Sequence, residues 1–205
     1  FRTQPGPGDC PAGTTPHIIY QSDFEQGSEG WQDISSGLYH WTMSTVQAHS
    51  PATAWLSSVP ATTSDQKLVS PVFSLPTGEE PLSLSFWHRW TFDSASACND
   101  GGVLEISTNN GETWVQVSSS YILTNPYTGT IRSGVVNPIA GRRAWCGVTD
   151  WTWTVVDLAA YAGENVTFRF RMGSGNAGAA EGWYLDDLRV QSCIQPAPQQ
   201  LFLPM

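Results

Sequence analysis

Lysine is nearly absent from this sequence: Lys67 is the only one, and nine basic residues stand against eighteen acidic ones, a net charge of −9. Lacking a Lys/Arg cluster, the chain has nothing to track a phosphate backbone or to hold an anionic lipid surface, which excludes nucleic acid as a partner. No apolar run approaches the ~20 residues of a spanning helix, so membrane insertion is excluded too. Several catalytic signatures are also missing. There is no HExxH, and His17, His40, His49 and His88 are scattered, which argues against a zinc hydrolase. "GSG" at 173–175 lacks the frame of a nucleophile elbow. A glycosidase pair can be nominated from any eighteen acids, and nothing marks one out. The chain reads as non-enzymatic.

What is plentiful is tryptophan, ten residues of it, in a background of Ser, Thr, Gly and Pro. Aromatic and β-branched residues suit a pleated, half-buried surface, and 205 residues make one domain with a full core. The class is all-β. In "PLSLSFWHRWTF", Leu82, Leu84, Phe86, His88, Trp90 and Phe92 share one face, the mark of a core strand. His88 on that face reads as a hydrogen-bonded core histidine. "VTFRFRM" turns Val166, Phe168, Phe170 and Met172 inward and Arg169 and Arg171 outward, while "TNNG" is a hairpin turn with Gly111 at positive φ. Ten or eleven such strands suit a two-sheet antiparallel β-sandwich of jelly-roll type over residues 17–193. Before it, residues 1–16 are a Pro/Gly-rich extended arm; after it, residues 194–205 form a Pro/Gln-rich tail.

Four widely spaced cysteines without a CxxC pair fit two disulfides in an oxidising compartment better than a metal site. Of three connectivities we favour Cys10 with Cys193, tying the ends, and Cys98 with Cys146, stapling two loops. The expected location is secreted, extracellular or at the cell surface, and the start at Phe1 reads as a processed or excised segment. Asn165 begins an N-V-T glycosylation sequon.

Two adjacent acids, Asp186 and Asp187, interrupt the apolar strand "GWYLDDLRV". Neighbouring strand residues point to opposite faces, so one carboxylate should face the interior, where it needs a proton, an arginine or a metal. Asp23 and Glu25 share one face of the first strand, with Phe24, Tyr20 and Ile18 inward. First and last strands of a jelly-roll commonly neighbour each other, so these four acids should converge and would repel without a hard cation. Calcium, with its six to eight oxygen ligands, is the expected structural cofactor, held by Asp23, Glu25, Asp186 and Asp187. Pairing of Asp186 with Arg169 or Arg171, or exposure at a bulge, are the simpler readings.

"DFEQGSEGW", "LSFWHRW", "NDGGVLEISTNNGETW", "GRRAWCG", "VDLAAYAGENVTFRFRMGSG" and "GWYLDDLRV" follow one another in an order that resembles the MAM-like jelly-roll domains. These lie beside catalytic domains in secreted bacterial peptidases such as the immune inhibitor A group, and in adhesion proteins. The resemblance covers residues 18–193 and implies a non-catalytic extracellular module, often calcium-bound; it also implies that "AHSPAT" (48–53) adds main-chain or hydroxyl oxygens to the ion. "STNNGETW" resembles an Asp-box, with Ser107, Asn109, Gly111, Thr113 and Trp114 in the matching places and Asn109 where Asp is commoner. Such a box is mainly a folding device.

The expected function is therefore that of a calcium-stabilised binding or adhesion module acting on an extracellular protein. Carbohydrate binding is an alternative: Trp151 and Trp153 lie on the same side of "DWTWT" and Trp87 faces away from its core, so these rings are candidates to stack on a polysaccharide, although sandwich cores also consume tryptophans. A third reading is structural. The apolar tip Leu201, Phe202 and Leu203 is a candidate strand for addition to an identical subunit, building a filament or surface assembly.

Overall fold

The alternation at residues 82–92 sets the inner wall of the sandwich, and Leu82, Leu84, Phe86, His88, Trp90 and Phe92 are all buried. The computed structural model describes residues 5–92, 98–176 and 178–196. In chain order, β1 is Thr15–Ser22, β2 Gln32–Asp33, β3 Trp41–Ser44, β4 Ala54–Val59 and β5 Ser64–Val69. Then come β6 (Phe73–Ser74), β7 (Ser83–Thr91), β8 (Gly101–Ser107), β9 (Val115–Gln116) and β10 (Gly129–Thr130). The last are β11 (Arg143–Ala144), β12 (Val148–Asp157), β13 (Asn165–Ser174) and β14 (Ala180–Ile194). Among the described residues no helix is long and apolar enough to cross a membrane.

The strands form two antiparallel sheets and a small β10–β11 ribbon. One sheet runs β12-β7-β14-β4-β3 with β1 also on β14; the other runs β2-β5-β13-β8-β9 with β6 also on β13. Phe86 of the first sheet meets Phe170 of the second at 5.0 Å between ring centroids, and Phe170 meets Trp183 of the first at 5.7 Å. Gly102 admits this packing: a Cβ there would lie 2.3 Å from the Trp183 ring. His88 sits in the same layer and is fully buried. The indole N–H of Trp183 donates to its Nδ1 at 3.2 Å, leaving Nε2–H to donate to Thr154 Oγ1 at 2.8 Å. Burial lowers its pKa to about 3, so the ring is neutral and both nitrogens are committed.

Both disulfides take the favoured pairing, Cys10–Cys193 and Cys98–Cys146. The first pins the arm, which is further held where the Gln191 amide donates to Gly8 O. Leu201, Phe202 and Leu203 lie outside the described residues.

Three expectations need correction. Ile18 points outward, 41% exposed, because the β1–β14 register shifts between Ile18 and Tyr20. β1 ends at Ser22, so Asp23 and Glu25 belong to the turn after the strand, where Phe24 takes a positive φ of 58°. Arg169 and Arg171 lie on the other sheet from Asp186: Arg169 pairs with Glu105, and Arg171 grips Asp65 with two hydrogen bonds. Glu105, a buried acid that no sequence pattern singles out, is also paired with Arg142.

Replacing His88 by Leu orphans the Trp183 indole and the Thr154 hydroxyl inside the core. Unmade buried hydrogen bonds cost about 1–3 kcal/mol each, so His88→Leu should lose about 2–4 kcal/mol in a urea melt. A loss below about 1 kcal/mol would show that His88 contributes only volume.

Candidate functional site

β14 is long enough to carry two neighbours end to end along one edge. β4 pairs with its first part, ending at Leu185↔Trp55, and β1 pairs with its second, starting at Leu188↔Ser22. Asp186 and Asp187 occupy the gap between them. On the other edge the β14–β7 register shifts between Asp186 and Arg189, and Asp187 has a positive φ of 46°, so the acids mark a bulge.

What meets the interior carboxylate is backbone. Asp186 is fully buried; its Oδ2 accepts the N–H groups of His49 (2.7 Å) and Ser50 (3.0 Å), and its Oδ1 accepts the N–H of Asp187 (2.8 Å). Asp187 takes the next layer of the same loop, accepting from the Ser50 hydroxyl at 2.5 Å and pairing with His49 Nδ1. From the β1 side, Glu25 Oε1 accepts the N–H groups of Ala52 (3.1 Å) and Thr53 (2.7 Å). Asp23 Oδ1 in turn accepts the Glu25 N–H, fixing the turn that presents it. Residues 48–53 are thus gripped by three acids from opposite ends of the chain, with Asp23 in support. Sequence reasoning named the four acids and this loop; it did not find His49.

Among the described residues, no three Asp, Glu, His or Cys side chains are grouped as metal ligands. Both Asp186 oxygens accept backbone N–H groups. Asp187 and Glu25 reach the 48–53 loop from β14 and from the turn after β1, through the Ser50 hydroxyl and the Ala52 and Thr53 N–H groups. Among the described residues no Lys or Arg forms an ion pair with Asp23, Glu25, Asp186 or Asp187; the His49 imidazole is their one basic contact.

The loop also reaches the outer face of its sheet. The His49 ring stacks on Trp87 at 3.9 Å with 12° between planes, and Trp151 meets His49 edge-on at 5.7 Å. Trp153 stands opposite Trp87 in the β12–β7 register. Beside them lies a pocket of about 270 Å³ lined by Gln21, Ser22, Ser85, Trp87, Trp153, Asp187 and Arg189. Trp87 and Trp153 therefore share one pocket. Trp151 instead packs against His49 and, at 6.4 Å, Tyr184. The turn at residues 107–114 lies elsewhere, between β8 and β9 of the second sheet. There Asn109 Oδ1 accepts the Thr113 N–H, and Trp114 lies under the Arg169 guanidinium at 4.2 Å.

No family profile matches the chain. Bacillopeptidase F of Bacillus subtilis (strain 168) is 26% identical over 179 residues, covering 82% of this chain and 10% of that protein. The chain thus spans about a tenth of that relative's length. Among solved structures, the K3 cleaved adhesin domain of Lys-gingipain from Porphyromonas gingivalis W83 is similar with a TM-score of 0.55 and 20% identity, over 86% of this chain and 99% of that one. A carbohydrate-binding module, TmCBM61, in complex with beta-1,4-galactotriose, has a TM-score of 0.50 and 13% identity, over 88% and 99%. At such identities the shared property is the fold, a two-sheet β-sandwich.

Burial raises the pKa of Asp186 to about 6; the three N–H bonds oppose the shift, and the neighbouring Asp187 charge adds to it. An acid whose folded pKa exceeds its unfolded value holds its proton more tightly in the fold, so its contribution is full below about pH 4 and falls as pH rises towards 6. In chelator, the stability difference between the native chain and Asp186→Asn should therefore shift by about 2–3 kcal/mol in favour of the native chain between pH 7 and pH 4. A difference flat across that range would place the titration elsewhere.

Proposed function

We propose that this chain is a secreted, non-catalytic binding module of the cell exterior. It works through the outer face of the β12-β7-β14 sheet and is stiffened by calcium at the loop 48–53 clasp. The observation that carries the reading is the convergence of Glu25, Asp186 and Asp187 on a loop whose His49 supports an aromatic pocket on that face. Such an arrangement holds a surface rigid, which lowers the ordering cost of binding.

His88 is sealed in the core, while His17, His40 and His49 are tied to Glu79, Asp33 and Asp187. Two disulfides favour an oxidising environment. The folds it resembles are those of an adhesin domain and a carbohydrate-binding module, and the pocket's two indoles favour a saccharide over a protein partner. Calcium, where bound, supplies positive charge to the strand gap; Asp23, Glu25, Asp187 and oxygens of the 48–53 loop would hold it, with Asp186 keeping the loop in place. Support for it is the charge imbalance of that gap.

Calcium added to chelator-stripped protein should raise Tm by several degrees, since a ligand at 100 Kd stabilises by about 2.7 kcal/mol. The double variant Glu25→Gln/Asp187→Asn should lose that rise. Melting indifferent to calcium would remove the ion from this account.

A further inference from the structure

The pocket beside the 48–53 loop shares Asp187 with it, and its chemistry is selective. Trp87 and Trp153 stand side by side on neighbouring strands and supply flat apolar walls. Arg189 and Asp187 supply a donor and an acceptor whose charges cancel, and Gln21, Ser22 and Ser85 add neutral polar groups. At about 270 Å³ the pocket falls just below the ~300 Å³ at which sites for drug-sized ligands begin, so it suits no more than one ring-sized unit. A peptide adding as a strand needs an open sheet edge; this pocket lies over β7, which is paired on both sides by β12 and β14.

We propose that the pocket seats one unit of a neutral polysaccharide, stacked on Trp87 and Trp153, with Arg189 and Asp187 bonding adjacent hydroxyls. The assignment rests on the binding-module reading above and names its ligand class. A sugar ring presents C–H faces to an indole and hydroxyls at its rim, which is the division of polarity found here. With one acid and one arginine among its lining residues, the pocket carries no net charge to attract an anionic polymer.

His49 is a positioning residue in this scheme. It does not line the pocket; it covers part of Trp87 from the clasp side and fixes that ring. Asp187 belongs to both places, bonding the loop and lining the pocket. Opening the loop therefore removes a wall of the pocket.

The test measures retention of the full chain on isolated bacterial cell walls, either untreated, protease-treated or oxidised with periodate, which cleaves vicinal diols. Soluble neutral glucan, xylan and galactan, with anionic polygalacturonate as the control, are run in affinity gels alongside. The native chain should bind untreated and protease-treated walls alike and at least tenfold more weakly after periodate, and be slowed by at least one neutral polymer but not by the anionic one. Trp87→Ala, Trp153→Ala and Arg189→Gln should each weaken binding about tenfold with Tm within a few degrees of native. His49→Ala should weaken it less, and His49→Phe, which keeps a flat ring over Trp87, should restore it. Binding lost to protease and untouched by periodate would overturn the saccharide and leave the binding-module reading standing. Variants that bind as tightly as the native chain would overturn the site. Retention on none of these materials would overturn both.

Discussion

A strand that carries two partners end to end along one edge must leave backbone unpaired where they meet, and the sandwich is organised around how β14 handles that gap. The bulge at Asp186 and Asp187 turns two carboxylates onto a loop whose N–H groups have no strand to bond. Charge-assisted hydrogen bonds contribute about 1.5–3 kcal/mol each, and Asp186 accepts three, Glu25 two. The three bonds to Asp186 offset part of the cost of its burial, and those from His49 and Ser50 close the structure between residues more than 130 positions apart. The Cys10–Cys193 bridge and the β1–β14 pairing fasten the same region covalently and through the ladder.

That closure also shapes the outer surface. The loop that satisfies Asp186 carries His49, His49 lies flat on Trp87, and Trp87 lines the pocket with Trp153 and Asp187. A rigid aromatic wall loses little conformational entropy when a ligand seats against it. The inner face of the same strand builds the core instead, where Phe86, His88 and Trp90 lock into Trp145, Trp183 and Phe170. One strand, β7, thus supplies the core from its even positions and the pocket from Ser85 and Trp87.

Much of this is legible in the sequence where a side chain's own period fixes its place. The alternations at 82–92 and 166–172 gave the buried faces of β7 and β13 without error, since a single step of register would expose every apolar residue. That the first and last strands pair followed from the expected jelly-roll order; the strand face assigned to Asp23 and Glu25 did not hold, because β1 ends at Ser22 and both acids sit in the turn beyond it. The partner of Asp186 could not be read, because it bonds main-chain N–H groups, which every residue but proline carries. The Ile18 bulge was hidden for a similar reason: an extra residue in a ladder changes no local composition. Glu105, held by Arg169 and Arg142, and His49, stacked on Trp87, depend on contacts across 37 to 64 positions that no short pattern encodes.

Amide hydrogen exchange at His49 and Ser50, read residue by residue, tests the clasp most directly. If Asp186 holds these two N–H groups, they exchange slowly in the native chain despite lying in a loop. In Asp186→Ala they become fast, while Leu104 and Phe170 in the second sheet keep their protection. Rapid exchange of both amides in the native chain, with the core protected, would contradict the account.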